Sequence, residues 1–350
     1  MKKRYGFLFL FYLLFSCKQE SSETLFSLLS ESQTGISFRN DLVYTEKINP
    51  YTFRNFYNGA GVAIGDINQD SLPDIFFAGN QQSNRLYLNA GELSFEDITD
   101  KAGLNSEGSW TTGVSMADVN GDGLLDIYVC KSGPMQVARR HNELFINNGD
   151  LTFTEKSKEY GLAEIGLSQH AVFFDYDKDG DLDMYLLSNS GRSVGLNDLR
   201  LGQREIRDPE GGNKLFRNEG NRFSDVSQEA GIYGSAIGYG LGVTVADLNQ
   251  DGWPDLYVSN DFFERDYLYL NQKNGTFREI LPQAMPEISM GSMGADIADL
   301  DNDLWPDVIV TEMLPSDLAR VKSKTPFEEW DKFQANQKAG YHRQFTRNTL

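Results

Sequence analysis

Nine-residue segments that begin and end in aspartate recur five times along the chain: DINQDSLPD at 66–74, DVNGDGLLD at 118–126, DYDKDGDLD at 175–183, DLNQDGWPD at 247–255 and DLDNDLWPD at 299–307. Positions 1, 3, 5 and 9 are Asp or Asn in every copy. The candidate ligands are therefore Asp66, Asn68, Asp70 and Asp74; Asp118, Asn120, Asp122 and Asp126; Asp175, Asp177, Asp179 and Asp183; Asp247, Asn249, Asp251 and Asp255; and Asp299, Asp301, Asp303 and Asp307. Position 7 can add a backbone carbonyl, so each segment offers an oxygen-only shell. Such a shell suits a hard cation. Ca2+ accepts about six to eight oxygens in loose geometry, whereas Mg2+ wants a stricter octahedron and zinc would want His or Cys. Calcium is the expected cofactor.

The charge balance points the same way. The chain has 51 acidic and 32 basic residues, for a net charge of −19, and 18 of the acids are aspartates of these five segments. Outside them the two signs nearly cancel. Carboxylates about 4 Å apart repel by roughly 4 kcal/mol at an effective dielectric of 20, so converging aspartates call for a cation. The segments are not EF-hands: position 12 is Phe77, Val129, Leu186, Val258 and Val310, where a bidentate Glu would be required. Position 6 of such a loop favours a left-handed backbone, which Gly123, Gly180 and Gly252 supply; Ser71 and Leu304 stand there in the first and fifth copies.

The elements that must hold these loops can be read beside them. Each loop follows an apolar run (VAIG, VSMA, AVFF, VTVA, ADIA) and precedes another (IFFA, IYVC, MYLL, LYVS, VIVT). These are short buried strands, A and B of a repeat. Strand C follows as NRLYLN at 84, NELFIN at 142, NKLFRN at 213 and DYLYLN at 266, and strand D begins at Phe95, Phe153, Phe223 and Phe277. Loop starts are 52, 57, 72 and 52 residues apart, a blade-like period. A four-stranded unit cannot bury both faces alone, so neighbours stack about an axis. The expected fold is all-β, a β-propeller of four-stranded antiparallel blades; a linear β-solenoid would use shorter turns and parallel strands.

The termini carry further expectations. Residues 1–17 read as a lipoprotein signal: a basic start at Lys2, Lys3 and Arg4, an apolar run from Tyr5 to Phe15, then Ser16 and Cys17. Eleven apolar residues reach about 16 Å as a helix, roughly half a bilayer core. A small residue before cysteine resembles the bacterial lipobox, which makes Cys17 the expected lipidation site. Residues 18–57 form a mature N-terminal segment in which Phe26–Ser30 and Gly35-Ile36 repeat the strand D pattern as an orphan outer strand. Residues 58–350 are the repeats. The last of them, at Asn348, opens a strand C, as in a chain cut within a blade.

The DxNxDGxxD loop between two apolar strands resembles the FG-GAP and VCBS repeats of integrin α-chain propellers. The string NGAGVAIGDIN at 58–68, with the NRLYLN and AGL segments, is similar to bacterial relatives of the cartilage acidic protein family, whose members often carry an ASPIC/UnbV domain. The resemblance implies a seven-bladed propeller, of which about five repeats are present, with calcium in the hairpin loops and binding at the cell surface.

Chemistry beyond the loops is sparse. Gly59, Gly61 and Gly65 lack the strand-to-helix unit of a dinucleotide loop. His141, His170 and His342 show no ligand spacing, and no nucleophile motif occurs. Cys130 ends a strand and reads as a buried thiol. The chain is therefore expected to be a calcium-binding, surface-anchored, non-catalytic adhesion or scaffold module. The alternative is a calcium-dependent, polysaccharide lyase-like enzyme on the same frame, since some lyases resemble this repeat type. Strand alternation puts the loops on one face and the long B–C connections at 133–140, 190–212 and 315–347 on the other. A protein or polysaccharide partner is expected on that second face, where Arg192, Arg200, Arg204 and Arg207 could read acidic groups. The acidity excludes a nucleic-acid partner, and the membrane is reached through lipid alone, at the outer membrane or cell surface. A short helix is expected within 325–340, capped by Thr325 and ended by Gly340.

Overall fold

The computed structural model describes residues 24–350 apart from 107–109, 134–139, 191–201, 221 and 325–329. Four antiparallel four-stranded sheets follow one another in chain order. The first holds β1 (Val62–Gly65), β2 (Asp74–Phe77), β3 (Arg85–Asn89) and β4 (Phe95–Asp97); the second, β5 (Trp110–Ala117), β6 (Asp126–Ser132), β7 (Glu143–Asn147) and β8 (Phe153–Glu155). The third holds β9 (Ser168–Phe174), β10 (Asp183–Ser188), β11 (Lys214–Asn218) and β12 (Phe223–Asp225); the fourth, β13 (Gly240–Ala246), β14 (Asp255–Asn260), β15 (Tyr267–Asn271) and β16 (Phe277–Glu279). After β17 (Ile288–Ser289), a fifth A–B pair forms from β18 (Gly294–Ala298) and β19 (Asp307–Thr311), and β20 (Gln344–Phe345) runs parallel to β17. Thr349 bridges Val310 antiparallel, where a C strand belongs.

Strand A of each blade lies beside strand A of the next, from β1 through β5, β9 and β13 to β18. A cavity of about 540 Å3 touches all five of these strands or their leading turns, at Val62, Val114, His170, Leu241 and Met293. It marks the axis of the propeller. Strands β6, β10 and β14 are buried on both faces, because each is covered by the blade before and the blade after.

The apolar core accordingly lies between blades. One cluster joins the first two through Phe76, Leu86, Val114 and Phe145; another joins the second and third through Tyr128, Leu144, Met184 and Phe216. A third packs Tyr185, Leu215, Leu256 and Tyr269 together, and a fourth packs Tyr257 and Leu268 against Ile288 and Val310. Each junction is filled from two sheets, so no blade is a folding unit by itself.

The AGL segments are short helical turns that lead from strand D toward the next strand A. Gly103, Gly161 and Gly231 take φ of 76°, 77° and 77° there. A Cβ on Gly161 would lie 2.8 Å from the Phe223 carbonyl oxygen, and one on Gly231 2.9 Å from that of Phe277. Glycine is thus required for both conformation and space. Gly35 repeats the arrangement against Phe95, after the helical turn Glu31–Thr34. Residues 26–30 carry the strand D pattern but pair with no strand among the described residues, and Leu25, Phe26 and Leu28 are exposed. An outer strand forms only against a C strand inside it. The expected helix near the end runs Trp330–Lys338, with Gly340 at φ 84°; its capping residues, Thr325 to Glu328, lie outside the described residues. A helix at Leu318–Lys324 precedes it, without a periodic apolar stripe to announce it.

Candidate metal centre

All five aspartate segments close the A–B hairpins, on the face opposite the B–C connections. Their backbones share one course with two left-handed residues. Position 6 is one, at φ of 68°, 88°, 101°, 85° and 74° for Ser71, Gly123, Gly180, Gly252 and Leu304. Position 4 is the other: Gln69, Gly121, Lys178, Gln250 and Asn302 have φ between 56° and 72°. The position 4 requirement was not legible, since only one of the five residues is glycine.

The side chains pay the conformational cost back through local bonds. In the second loop, Asp118 Oδ1 accepts from the Asp122 N–H at 3.0 Å and Oδ2 from the Gly123 N–H at 2.8 Å, while Asp122 Oδ1 accepts from the Leu124 N–H at 2.8 Å. The first, fourth and fifth loops repeat these bonds around Asp66, Asp247 and Asp299.

Position 9 belongs as much to the blade as to the loop. Asp126 Oδ2 accepts from the Val119 N–H at 3.1 Å, and Oδ1 from the Asn147 N–H at the end of strand C at 2.9 Å. Asp74, Asp183 and Asp255 make the same pair of bonds. All four are buried. Burial, offset in part by those N–H donors and reinforced by neighbouring aspartates, raises their pKa above the usual carboxylate range, to about 6 for Asp126 and Asp255 and about 8 for Asp183.

Position 3 divides the loops. Where it is Asn, its amide nitrogen donates to the position 5 carboxylate, at 2.9 Å from Asn68 to Asp70 and from Asn120 to Asp122, and at 3.1 Å from Asn249 to Asp251. Where it is Asp no such donor exists. Oxygens of Asp175, Asp177 and Asp183 lie within 4.8 Å of one another, as do those of Asp299, Asp301 and Asp307. The third loop goes furthest: Asp175 Oδ1, Asp177 Oδ1 and Asp181 Oδ1 are buried with no hydrogen-bond partner. Asp175 and Asp177 thus bring orphaned carboxylate oxygens to the converging set, which a hard cation would satisfy, so the residues fit calcium. Asp181, at position 7, was not among the sequence-selected ligands; the only signal for it was the fifth aspartate of that segment. Burial and the adjacent Asp179 raise its pKa to about 6.

Neighbouring loops are tied together. In the second, third and fourth blades the Asn that ends strand C reaches back to the preceding blade: Asn147 Nδ2 donates to the Ile67 carbonyl at 2.8 Å, Asn218 to Val119 at 3.3 Å and Asn271 to Tyr176 at 2.7 Å. Position 4 reaches forward, with Gln69 bonded to the Gly123 carbonyl, Gln250 to that of Leu304, and the Lys178 ammonium 5.1 Å from the Trp253 ring centre.

The arginines singled out in the B–C connection are differently employed. Arg204 makes a two-pronged pair with buried Glu264, at 2.5 and 3.2 Å, and Arg207 donates to the carbonyls of Ile232 and Asn213. Both anchor the connection to its own blade and the next; Arg192 and Arg200 lie outside the described residues. The histidines stay apart: His141 bridges Ile165, His342 bonds the Met285 carbonyl, and His170 faces the axial cavity. Cys130 is fully buried, and burial pushes its thiol far above the ordinary range. Cys17 lies outside the described residues. Among those described, no helix is long and apolar enough to cross a membrane.

Comparison with known proteins follows the same lines. Cartilage acidic protein 1 of Xenopus tropicalis is 28% identical over 233 residues, 66% of this chain and 32% of its own length. The human protein of that name is 26% identical, over 75% of this chain and 36% of its own. The chain thus spans about a third of these curated relatives. Human integrin alpha-7 is 42% identical over 84 residues, 21% of this chain and 7% of its own. The profile described as FG-GAP-like repeat matches residues 66–129, 195–258 and 247–310, together more than half of the chain. The first and third matches begin at the start of an aspartate loop and all three end in a B strand, and the protein belongs to the FG-GAP-like repeat family, with the β-propeller as its fold.

Proposed function

We propose that the chain is a non-catalytic ligand-binding or adhesion module whose blades are stiffened by calcium in the five A–B loops and which is held at the cell surface by lipid on Cys17. The observation that carries this reading is the third loop, where three buried carboxylate oxygens lack any partner. Asp175, Asp177, Asp179 and Asp183, with Asp181 beside them, would hold the ion there. The equivalent Asp and Asn side chains would do so in the other loops. Bound calcium supplies positive charge to each cluster; the loops supply the fixed backbone that keeps the oxygens converged. The ligand is read on the opposite face, which carries the long B–C connections and is free of the acid clusters. The names of the relatives, an integrin α chain and a cartilage acidic protein, agree with a binding role.

Thermal unfolding in millimolar calcium and again in excess chelator tests the metal reading. A ligand bound only by the native state at a hundred times its Kd adds about 2.7 kcal/mol, and several sites add together. The midpoint should fall by about 10 °C or more in chelator. An unchanged midpoint would mean that the loops are turns and nothing else.

A further inference from the structure

The buried aspartates that close the first four loops are joined to one another by an unbroken run of hydrogen bonds. Its repeating unit is clearest between the third and fourth blades. Tyr176, at position 2 of the third loop, donates its N–H to Asp183 Oδ2 at 3.1 Å and accepts at its carbonyl from Asn271 Nδ2 at 2.7 Å. Asn271, at the end of strand C in the next blade, donates its own N–H to Asp255 Oδ1 at 2.8 Å. One aspartate thus reaches the next through two residues that are 1% and 3% exposed. The same unit runs from the first blade to the second through Ile67 and Asn147, and from the second to the third through Val119 and Asn218. In the first blade Asn89 makes the local bonds alone, to the Pro73 carbonyl at 2.9 Å and to Asp74 at 2.8 Å. The bond across the blade boundary is therefore an addition to the local bonds and not a consequence of them.

We propose that this relay couples the loops, so that a cation held in one raises the affinity of its neighbours and the sites fill cooperatively. Asn147, Asn218 and Asn271 are then positioning residues for two loops at once. The inference rests on the calcium reading of the loops and adds their regulation. Without an ion, converging carboxylates repel and oppose the closed course of the third loop, where Asp175 and Asp177 keep orphaned oxygens. An ion there would hold Asp183 and, through the Tyr176 N–H, the residue whose carbonyl receives Asn271. With its side chain fixed, Asn271 presents its N–H to Asp255 in a single orientation, and the fourth loop meets its own ion with less ordering still to do. Linkage makes the effect mutual. The positive charge of a neighbouring ion acts the other way, but it is screened over about 8 Å at physiological ionic strength, whereas a buried hydrogen bond is not.

Hydrogen exchange of the full chain at stepped free calcium and physiological ionic strength, read by mass spectrometry on peptides that cover each loop, gives a calcium midpoint loop by loop. Asp177→Asn combined with Asp179→Asn disables the third loop while the asparagine oxygens can still close its turn. In that variant the second and fourth loops should need about fivefold more calcium, the lower end of coupling between linked sites. Asn271→Ala keeps the N–H that holds Asp255 and cuts the bond to Tyr176. In its background, disabling the third loop should move the fourth by less than about twofold and still move the second by about fivefold, a cycle in which charge and general destabilisation cancel. Asn271→Ser, which keeps an oxygen for the Lys273 N–H, repeats the test without loss of the local turn bond. Second and fourth loops that ignore the loss of the third, or an effect on the fourth that survives both Asn271 variants, would overturn the coupling and leave the calcium reading standing. No calcium-dependent protection in any loop would overturn both.

Discussion

Position 3 of the loop decides how strongly each acid cluster would need a cation. Asparagine bonds to the position 5 carboxylate and relieves the cluster, whereas Asp177 brings another charge and an orphaned oxygen. Asp177→Asn should therefore raise the midpoint in chelator by about 1–2 °C, the effect of relieving roughly 1 kcal/mol of repulsion in a chain of this size, and shrink the gain on adding calcium. Paired melting curves check both halves, and a mutant less stable in chelator than the wild type would sink the argument. The Asp and Asn positions of the loop were legible because five copies fix them. Occupants of the left-handed positions were not: Ser71 and Leu304 take at position 6 the backbone that glycine takes elsewhere. The bonds from their N–H groups to Asp66 and Asp299 hold them there against the steric cost.

Strands and their order followed from apolar runs and loop spacing, since a buried β-strand leaves a short, dense signature. The staple between blades did not. Asn147 reads as the end of an apolar run, yet it donates to Ile67 at 2.8 Å and to Leu125 at 3.2 Å, and accepts from Gly149 at 2.9 Å. Asn147→Ala would strand the buried Ile67 carbonyl and loosen the half-buried bonds to Leu125 and Gly149, at a cost of about 1–3 kcal/mol. Urea unfolding should show it as a lower midpoint with an unchanged slope. Because Ile67 lies in the first aspartate loop, the same variant should weaken calcium binding there while sparing the fourth loop. The arginines show the reverse error of scale: Arg204 and Arg207 looked like ligand readers in a loop of polar residues, but the chain folds back and uses them against Glu264 and backbone carbonyls.

For the whole molecule, the consequence of burying one aspartate per loop is a stability that depends on pH in a metal-dependent way. Asp126 and Asp255, near 6, and Asp183, near 8, bind protons more tightly folded than unfolded, where about 3.9 applies. The native state then holds more protons than the unfolded one between about pH 4 and 8, so in chelator these groups make stability fall as pH rises through that window. Calcium requires the ionised form and removes the penalty. The midpoint gain on adding calcium should therefore be larger at pH 8 than at pH 5.5; a gain that is constant or shrinks would contradict the burial argument.

By itself the sequence determined the local and the repeated: strand runs, hairpin loops, the acidic loop positions and the blade period, because each is written within a few neighbouring residues and then written again. Tertiary structure decided what depends on residues distant in the chain. It set which oxygens remain without donors in the third loop, which asparagines join one blade to the loop of another, and which arginines are consumed internally. No periodicity encodes such meetings, since the core that enforces them lies between blades and exists only once neighbouring repeats have stacked.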